Sequence, residues 1–217
     1  MFCILLSFLY SCQRKKGESS FLPPSELQPL TLGVMPTLEG LPYYIAQKQG
    51  IYDSLGLKLT IFPFYSANDR DAAFQIHQVD GIITDYPSAV ILQANYRTNL
   101  KLIQKNDSYF CFIVSKESNI NQLKQLKEKN IGVSRNTIIE YATDLLLDKA
   151  GIKSSEINKP EIGQIPLRLQ MLDFSQLDAS FLPDPAASLA MDNGHRSLVS
   201  TRELDIDFTV TAFSLKA

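Results

Sequence analysis

The residues best suited to chemistry lie in the stretch 131–151, IGVSRNTIIEYATDLLLDKAG. A polar turn, Ser134, Arg135 and Asn136, joins an apolar run to a segment in which Ile138, Tyr141, Ala142, Leu145 and Leu146 recur at three- and four-residue spacing. That spacing predicts a helix packed through those residues. The first N–H groups of a helix have no internal partners, so Ser134, Asn136 and Thr137 gathered there create a place for a polar or anionic ligand atom. Gly151 stands where a left-handed helix end favours a residue without Cβ. Other chemistries are poorly served. Two histidines and three widely separated cysteines cannot build a Cys/His zinc set, and His77 and His195 read as surface or turn residues. No Ser-His-Asp or Cys-His arrangement is visible, so no catalytic residue, metal or cofactor is expected.

The elements that must position this turn repeat along the chain. Residues 30–34 read as a strand, followed by a turn at 35–40 and a helix with Pro42 in its first turn and Gly50 at its end. Residues 57–63 alternate as a second strand, and Asn68 or Asp69 is the expected cap of the helix that follows. DGIIT, 80–84, is a short buried strand leading through the turn 85–88 into a helix over 89–96. Strands are expected at 100–104 and 110–114, and a charged surface helix at 119–130 with Leu123 and Leu126 inward. Gly33-Val34 to Gly50-Ile51 matches Gly132-Val133 to Gly151-Ile152 in spacing. A second echo aligns Gln78 and Asp80 with Gln176 and Asp178, which puts Pro87 on Pro185 and Asp85 on Pro183. Asp80 and Asp178 are expected to order the turns before their strands. Alternating strands and helices imply parallel pairing and right-handed crossovers, hence two open α/β lobes. Ligands bind outside the carboxyl ends of such sheets, and two lobes facing each other enclose a cleft able to close about a hinge.

Composition sets the limits. The chain has 217 residues, 45% hydrophobic and 20% charged, with a net charge of −2, which is an ordinary globular composition without the basic excess that nucleic acid requires. Residues 2–10, FCILLSFLY, form an apolar run too short for a permanent span and of the right length for a signal peptide. Leu9-Tyr10-Ser11-Cys12 resembles a bacterial lipobox, which would make Cys12 a lipidation site. The alternative is a disordered apolar leader, since no basic residue precedes the run and Tyr10 is bulky. Residues 13–29 are polar and carry prolines and serines, as a tether does.

IGVSRNTIIEYATDLLLDKAGI, QIPLRL, SQLDASFLPDPAASLA and GHRSLVS together resemble periplasmic substrate-binding proteins of ABC importers. The nearest branch is the type 2 fold group for nitrate, sulfonates, taurine and thiamine pyrimidine precursors. The resemblance runs from Leu30 to Ala217. It implies an α/β, two-lobed periplasmic-binding-protein type 2 fold, with hinge strands near 110–115 and 198–211. Lobe 1 is then 30–109 with 200–217, and lobe 2 is 110–199. Members of the group continue into helices that return to the first lobe, so the expectation is a fold lacking the C-terminal helices, with apolar surface of lobe 1 uncovered.

The resemblance also implies where a ligand is held. In lobe 1 the contacts are Thr37, Glu39, Tyr43, Asp85 and Tyr86, with Pro36 and Leu38 beside them. In lobe 2 they are Ser134, Arg135, Asn136, Thr137, Glu140 and Asp184, with Pro183. Tyr43 and Tyr86 are suited to stacking on a planar ring or to the edge of the core. Glu39, Asp85, Glu140 and Asp184 then face a single base, Arg135. Because an anion beside carboxylates is costly, a nitrogenous, pyrimidine-like solute is preferred over a sulfonate. The implied partners are a small-molecule solute and an ABC permease in the membrane. The implied state is a monomer in the cell envelope or periplasm, lipid-anchored, without nucleic acid. The alternatives are an enzyme of the same fold from menaquinone or thiamine pathways, and a truncated binding or sensory module that does not transport.

Overall fold

The computed structural model of the chain describes residues 29–96, 98–203 and 211–216. The leader with Cys12 and nearly all of the tether lie outside them. In chain order the elements are β1 (Leu30–Val34), α1 (Leu41–Lys48), α2 (Ile51–Ser54), β2 (Leu59–Pro63), α3 (Ala67–Gln75), β3 (Gly81–Asp85), α4 (Tyr86–Tyr96), β4 (Leu100–Asn106) and β5 (Phe110–Val114). They continue with β6 (Ile131–Gly132), α5 (Ile138–Lys149), α6 (Ile165–Asp173), β7 (Ala179–Pro183), α7 (Ala186–Asp192), β8 (Arg196–Ser200) and β9 (Thr211–Lys216). The strands build two sheets, ordered β2-β1-β3-β9-β4 and β6-β7-β5-β8. The two-lobed α/β expectation is met.

Parallel pairing holds where a helix returns the chain to its sheet, β1 with β2 and β3, and β6 with β7. It does not extend further. β9 lies antiparallel between β3 and β4, and β5 runs antiparallel to β7 and β8. β5 comes directly from β4 of the other lobe through residues 107–109, so no crossover helix turns it parallel. β3, β5 and β7 are buried at every residue, and β5, FCFIV, accordingly reads as an unbroken apolar run.

Each lobe has its own core. In lobe 2, Phe112 and Phe181 meet edge to face at 4.9 Å above Ile131, Ala142 and Leu146. Ile113, Leu172, Leu182 and Ala187 fill the opposite face of the sheet. In lobe 1, Phe74, Val79, Ile82 and Leu92 pack on one face, with Leu32, Val34 and Ile83 on the other. Val90 on α4 and Leu102 and Ile103 on β4 stand exposed in this lobe. Among the described residues no helix is long and apolar enough to cross a membrane.

The internal repeat is carried into three dimensions. Asp80 accepts the Thr31 N–H at 2.8 Å, and Asp178 accepts the Asn130 N–H at 2.9 Å, so each acid pins the start of the neighbouring strand. Gly50 and Gly151 have φ of 67° and 68°, the left-handed backbone expected there.

Several local expectations are corrected. The 119–130 helix is a loop with one short 3-10 turn, Leu123–Leu126. Gln125 folds its side chain back to accept the N–H groups of Asn121 and Gln122, while Asn119 and Glu128 take positive φ, so side-chain bonding displaces the helix. The cap of α3 is Ser66, in extended conformation and accepting the Asp69 N–H, instead of Asn68 or Asp69. No turn separates β3 from α4. Asp85 accepts the Ser88 N–H at 2.9 Å and so caps the helix, and Pro87 sits in its first turn, where a missing N–H costs nothing. Tyr141, expected inward, is 53% exposed; Thr143 takes an inward place on α5 and donates to the Ile139 carbonyl at 2.7 Å.

Candidate functional site

The loop after β1 reaches the space between the lobes because Gly40 lets it fold back. A Cβ there would stand 2.6 Å from Val34 Cγ1 and 2.7 Å from the Met35 carbonyl oxygen. Facing this loop, Thr137 caps α5 by accepting the Ile139 N–H at 3.1 Å and donates its own hydroxyl to the Ser134 carbonyl at 2.7 Å. The lobes touch on either side. The Ile165 N–H donates to the Tyr65 carbonyl at 3.0 Å, and the Leu38 N–H to the Asp184 carbonyl at 3.2 Å. Ser66 and Gln164 form an antiparallel bridge.

Between these contacts lies a cavity of about 40 Å³, measured for the centre of a water molecule. It has room for about three waters at ~10–15 Å³ each. Thr37, Glu39, Arg70 and Asp85 line it from lobe 1; Ser134, Thr137, Arg168 and Pro183 line it from lobe 2. Met35, Ile83, Phe110, Ile138 and Ile165 supply apolar walls.

The two arginines differ in their partners. Arg70 is 3% exposed and satisfied within lobe 1: its Nε donates to Asp71 at 2.8 Å, its Nη2 donates to Thr84 at 2.9 Å, and Asp85 stands 4.0 Å away. Arg168 is 1% exposed, and its Nη1 reaches the Ile162 and Gly163 carbonyls at 2.7 and 3.2 Å. Its Nε has no partner, and neither has the Oγ of Ser134, itself 2% exposed. Burial pushes the Arg168 guanidinium down to about 10, partly offset by the charge of Glu161. Glu161 itself is engaged by the Arg135 backbone N–H at 2.8 Å and guanidinium at 3.6 Å. A guanidinium this deep without a carboxylate of its own costs several kcal/mol, and an anionic group brought beside it offsets that cost.

The carboxylates lie on the other wall. Burial pushes Asp85 up to about 6 against the pull of Arg70 and the Ser88 N–H, with Asp71 adding repulsion. Burial also raises Glu39, which takes hydrogen bonds from Ser108 and Thr37 and feels Arg70.

Of the residues expected from sequence, Thr37, Glu39, Asp85, Ser134 and Thr137 line the cavity together. The others lie elsewhere. Tyr43 packs against Leu32, Val34 and Ile83 of the lobe 1 core. Tyr86 is half-buried at the start of α4. The Arg135 side chain is 61% exposed and points to Glu161 from the turn that follows the buried Ser134. Asn136 takes a φ of 61°, gives its N–H to Glu140 at 2.9 Å, and so turns its backbone to the helix cap instead of the cavity. Glu140 also faces Lys159 at 3.9 Å. Asp184 holds the hinge side: it accepts from Tyr109 and from the Ser188 N–H at 3.0 Å, while Arg202 stacks 3.8 Å over the Tyr109 ring. The count of one base in the cleft was therefore wrong; Arg135 is outside, and Arg70 and Arg168 are inside. Both were signalled by a charge on an apolar stripe, at Ala67-Arg70-Phe74 and Ile165-Arg168-Leu172.

The chain matches the family model described as NMT1/THI5 like over residues 38–183. It belongs to the NMT1/THI5-like family. Among curated protein sequences none matches it. Among solved structures it is similar to the alkanesulfonate-binding protein SsuA of Xanthomonas axonopodis pv. citri bound to MOPS (18% identity, TM-score 0.74, 88% of this chain and 66% of that one). The nitrate-binding protein NrtA of Synechocystis PCC 6803 superposes with a TM-score of 0.77 at 13% identity, covering 88% and 56%. The Candida albicans CA3427 gene product, described as exhibiting the generic periplasmic binding protein fold, gives 0.69 at 16%, covering 88% and 64%. At these identities the likeness establishes the fold, which is that of periplasmic binding proteins. The chain spans less than two thirds of the length of each of these three. The cavity of this NMT1/THI5-like chain lies where its two lobes meet.

Proposed function

We propose that this chain is the solute-binding component of an ABC importer, taking a small solute with an anionic group into the interlobe cleft for delivery to a membrane permease. The observation that carries this reading is Arg168, wholly buried on the cavity wall with its Nε unpaired, in a cavity that Ser134, whose hydroxyl is also unpaired, lines as well. With the N-terminal end of α5 they offer donors to a charged oxygen group. The family and fold support a binding role. Four acids against one base argue from the sequence for a nitrogenous solute; the placement of Arg168 supports an anionic group at one end of it. Lipid attachment at Cys12 and a place in the cell envelope belong to the same proposal.

An enzymatic reading finds less support among the described residues. His195 is buried away from the cavity, between the Lys116 N–H at 3.1 Å and Asp173 at 2.8 Å, where it fixes a turn. Cys111 lies within the lobe 2 sheet.

Thermal unfolding with propionate, ethanesulfonate, nitrate and methylphosphonate at 1 mM tests the proposal. A dissociation constant near 10 μM corresponds to about 2.7 kcal/mol of stabilisation, and hence a melting shift of about 5–10 °C for a chain of this size. At least one anion should give such a shift in the wild type and lose it in Arg168→Met. If no anion shifts the transition, the proposal fails.

A further inference from the structure

The lobe 1 wall of the cavity carries more negative charge than its own arginine balances. Asp71 is committed to Arg70, at 2.7–2.8 Å to its Nη2 and Nε. Asp85 gives one carboxylate oxygen to the Ser88 N–H, and the other stands 4.0 Å from Arg70, beyond hydrogen-bond distance. Glu39 reaches the cavity from the loop after β1, with Ser108 and Thr37 as hydrogen-bonding partners. Two carboxyl groups, Glu39 and Asp85, thus line from lobe 1 the cavity that Arg168, with its unpaired Nε, and Ser134, with its unpaired hydroxyl, line from lobe 2.

We infer that the solute is a small zwitterion, its anionic group held by Arg168 and Ser134 on lobe 2 and its ammonium or amidinium group held by Glu39 and Asp85 on lobe 1. This rests on the proposed function and adds the second pole. A plain anion would satisfy Arg168 but would leave its other end facing the carboxylates. A plain cation would leave the Arg168 Nε unpaired and its charge without an anion. A zwitterion answers both walls and draws the lobes together, because each lobe holds one of its charges. Burial raises both carboxyl groups, and a cation between them favours their ionised forms. Room for about three waters, at ~10–15 Å³ each, restricts the solute to a short link between the two charges.

Matched pairs that differ only by an amine test this: 2-aminoethanesulfonate against ethanesulfonate, and β-alanine against propionate, each titrated calorimetrically into the wild-type chain. In at least one pair the amine-bearing member should bind ten-fold or more tightly. Glu39→Gln should bring that ratio to within about three-fold of one. Equal or weaker binding by the amine-bearing members, or a ratio that survives Glu39→Gln, overturns the zwitterion while leaving the anion reading standing. If neither member of either pair binds and the simple anions also fail, both inferences fall. The wild-type pairs decide the matter even if the variant does not fold.

Discussion

Asp85 gives the sharpest handle on the energetics of the cavity. Its carboxyl is raised from 3.8 to about 6, chiefly by burial. At 1.36 kcal/mol for each unit, keeping it ionised in the folded chain costs ~3 kcal/mol relative to the unfolded chain. The sign follows from proton binding. Between about pH 6 and pH 4 the folded state holds a proton on Asp85 that the unfolded state does not. Asp85 therefore lowers stability fully above about pH 6, and the penalty disappears as the pH falls towards 4. Asp85→Asn keeps an oxygen to accept the Ser88 N–H and removes the charge, while Arg70 retains Asp71 and Thr84.

The variant should be more stable than wild type by up to ~3 kcal/mol at pH 7.5 and equal to it near pH 4. Urea unfolding of both proteins at half-unit steps from pH 4 to 7.5 measures the difference. Taking the difference removes titrating groups remote from Asp85, such as Glu156, which is lowered chiefly by its hydrogen bond from Lys127. A difference independent of pH, or a less stable Asn variant at pH 7.5, would refute the account of Asp85 as a buried, incompletely balanced carboxylate.

Two further outcomes follow from the same geometry. Gly40→Ala forces the backbone around Met35 to move and should cost roughly 1–3 kcal/mol in urea unfolding, with loss of any ligand-induced melting shift, because that loop carries Thr37 and Glu39. Leu169→Asp places a carboxylate beside Arg168 as Asp71 stands beside Arg70; the variant should remain folded by circular dichroism and lose anion binding at least ten-fold. Retained affinity would mean that Arg168 is not the anion's partner.

The repeat, the strand-helix alternation and the two-lobed fold were legible in the sequence because periodicity and glycine positions are local signals. β1, β3, β7 and α5 fall close to where their patterns put them. The loops facing the cleft were legible as well, since each follows a sheet strand at its carboxyl end. What was hidden depended on side-chain direction and long-range pairing. Arg135 and Asn136 sit in the polar turn, yet one is drawn outward to Glu161 and the other is turned by its left-handed backbone. Arg70 and Arg168 sit in helices among apolar neighbours, where charge inventories confined to loops do not look. The antiparallel place of β5 depends on its entering from the other lobe, a topological fact with no local signature.

The repeat also explains why one arginine is structural and the other is available. Arg70 and Arg168 are 98 residues apart, the same offset that relates Asp80 to Asp178 and Pro87 to Pro185. α3 and α6 are accordingly the same helix in the two lobes, and β3 and β7 the same strand. The side-chain oxygens around Arg70 belong to Asp71 and Thr84, which accept its hydrogen bonds, and to Asp85, 4.0 Å away. Their counterparts at the same offset are Leu169, Leu182 and Pro183, none of which offers a side-chain oxygen. Lobe 2 therefore buries a guanidinium that no side-chain oxygen at these positions meets, with the Ile162 and Gly163 carbonyls as its hydrogen-bond partners. A charge at full burial without a carboxylate in contact is destabilising, and an anion brought beside it offsets that cost. The asymmetry between two otherwise matching helices supports the proposal of an anion site on lobe 2, with Glu39 and Asp85 of lobe 1 facing the same cavity.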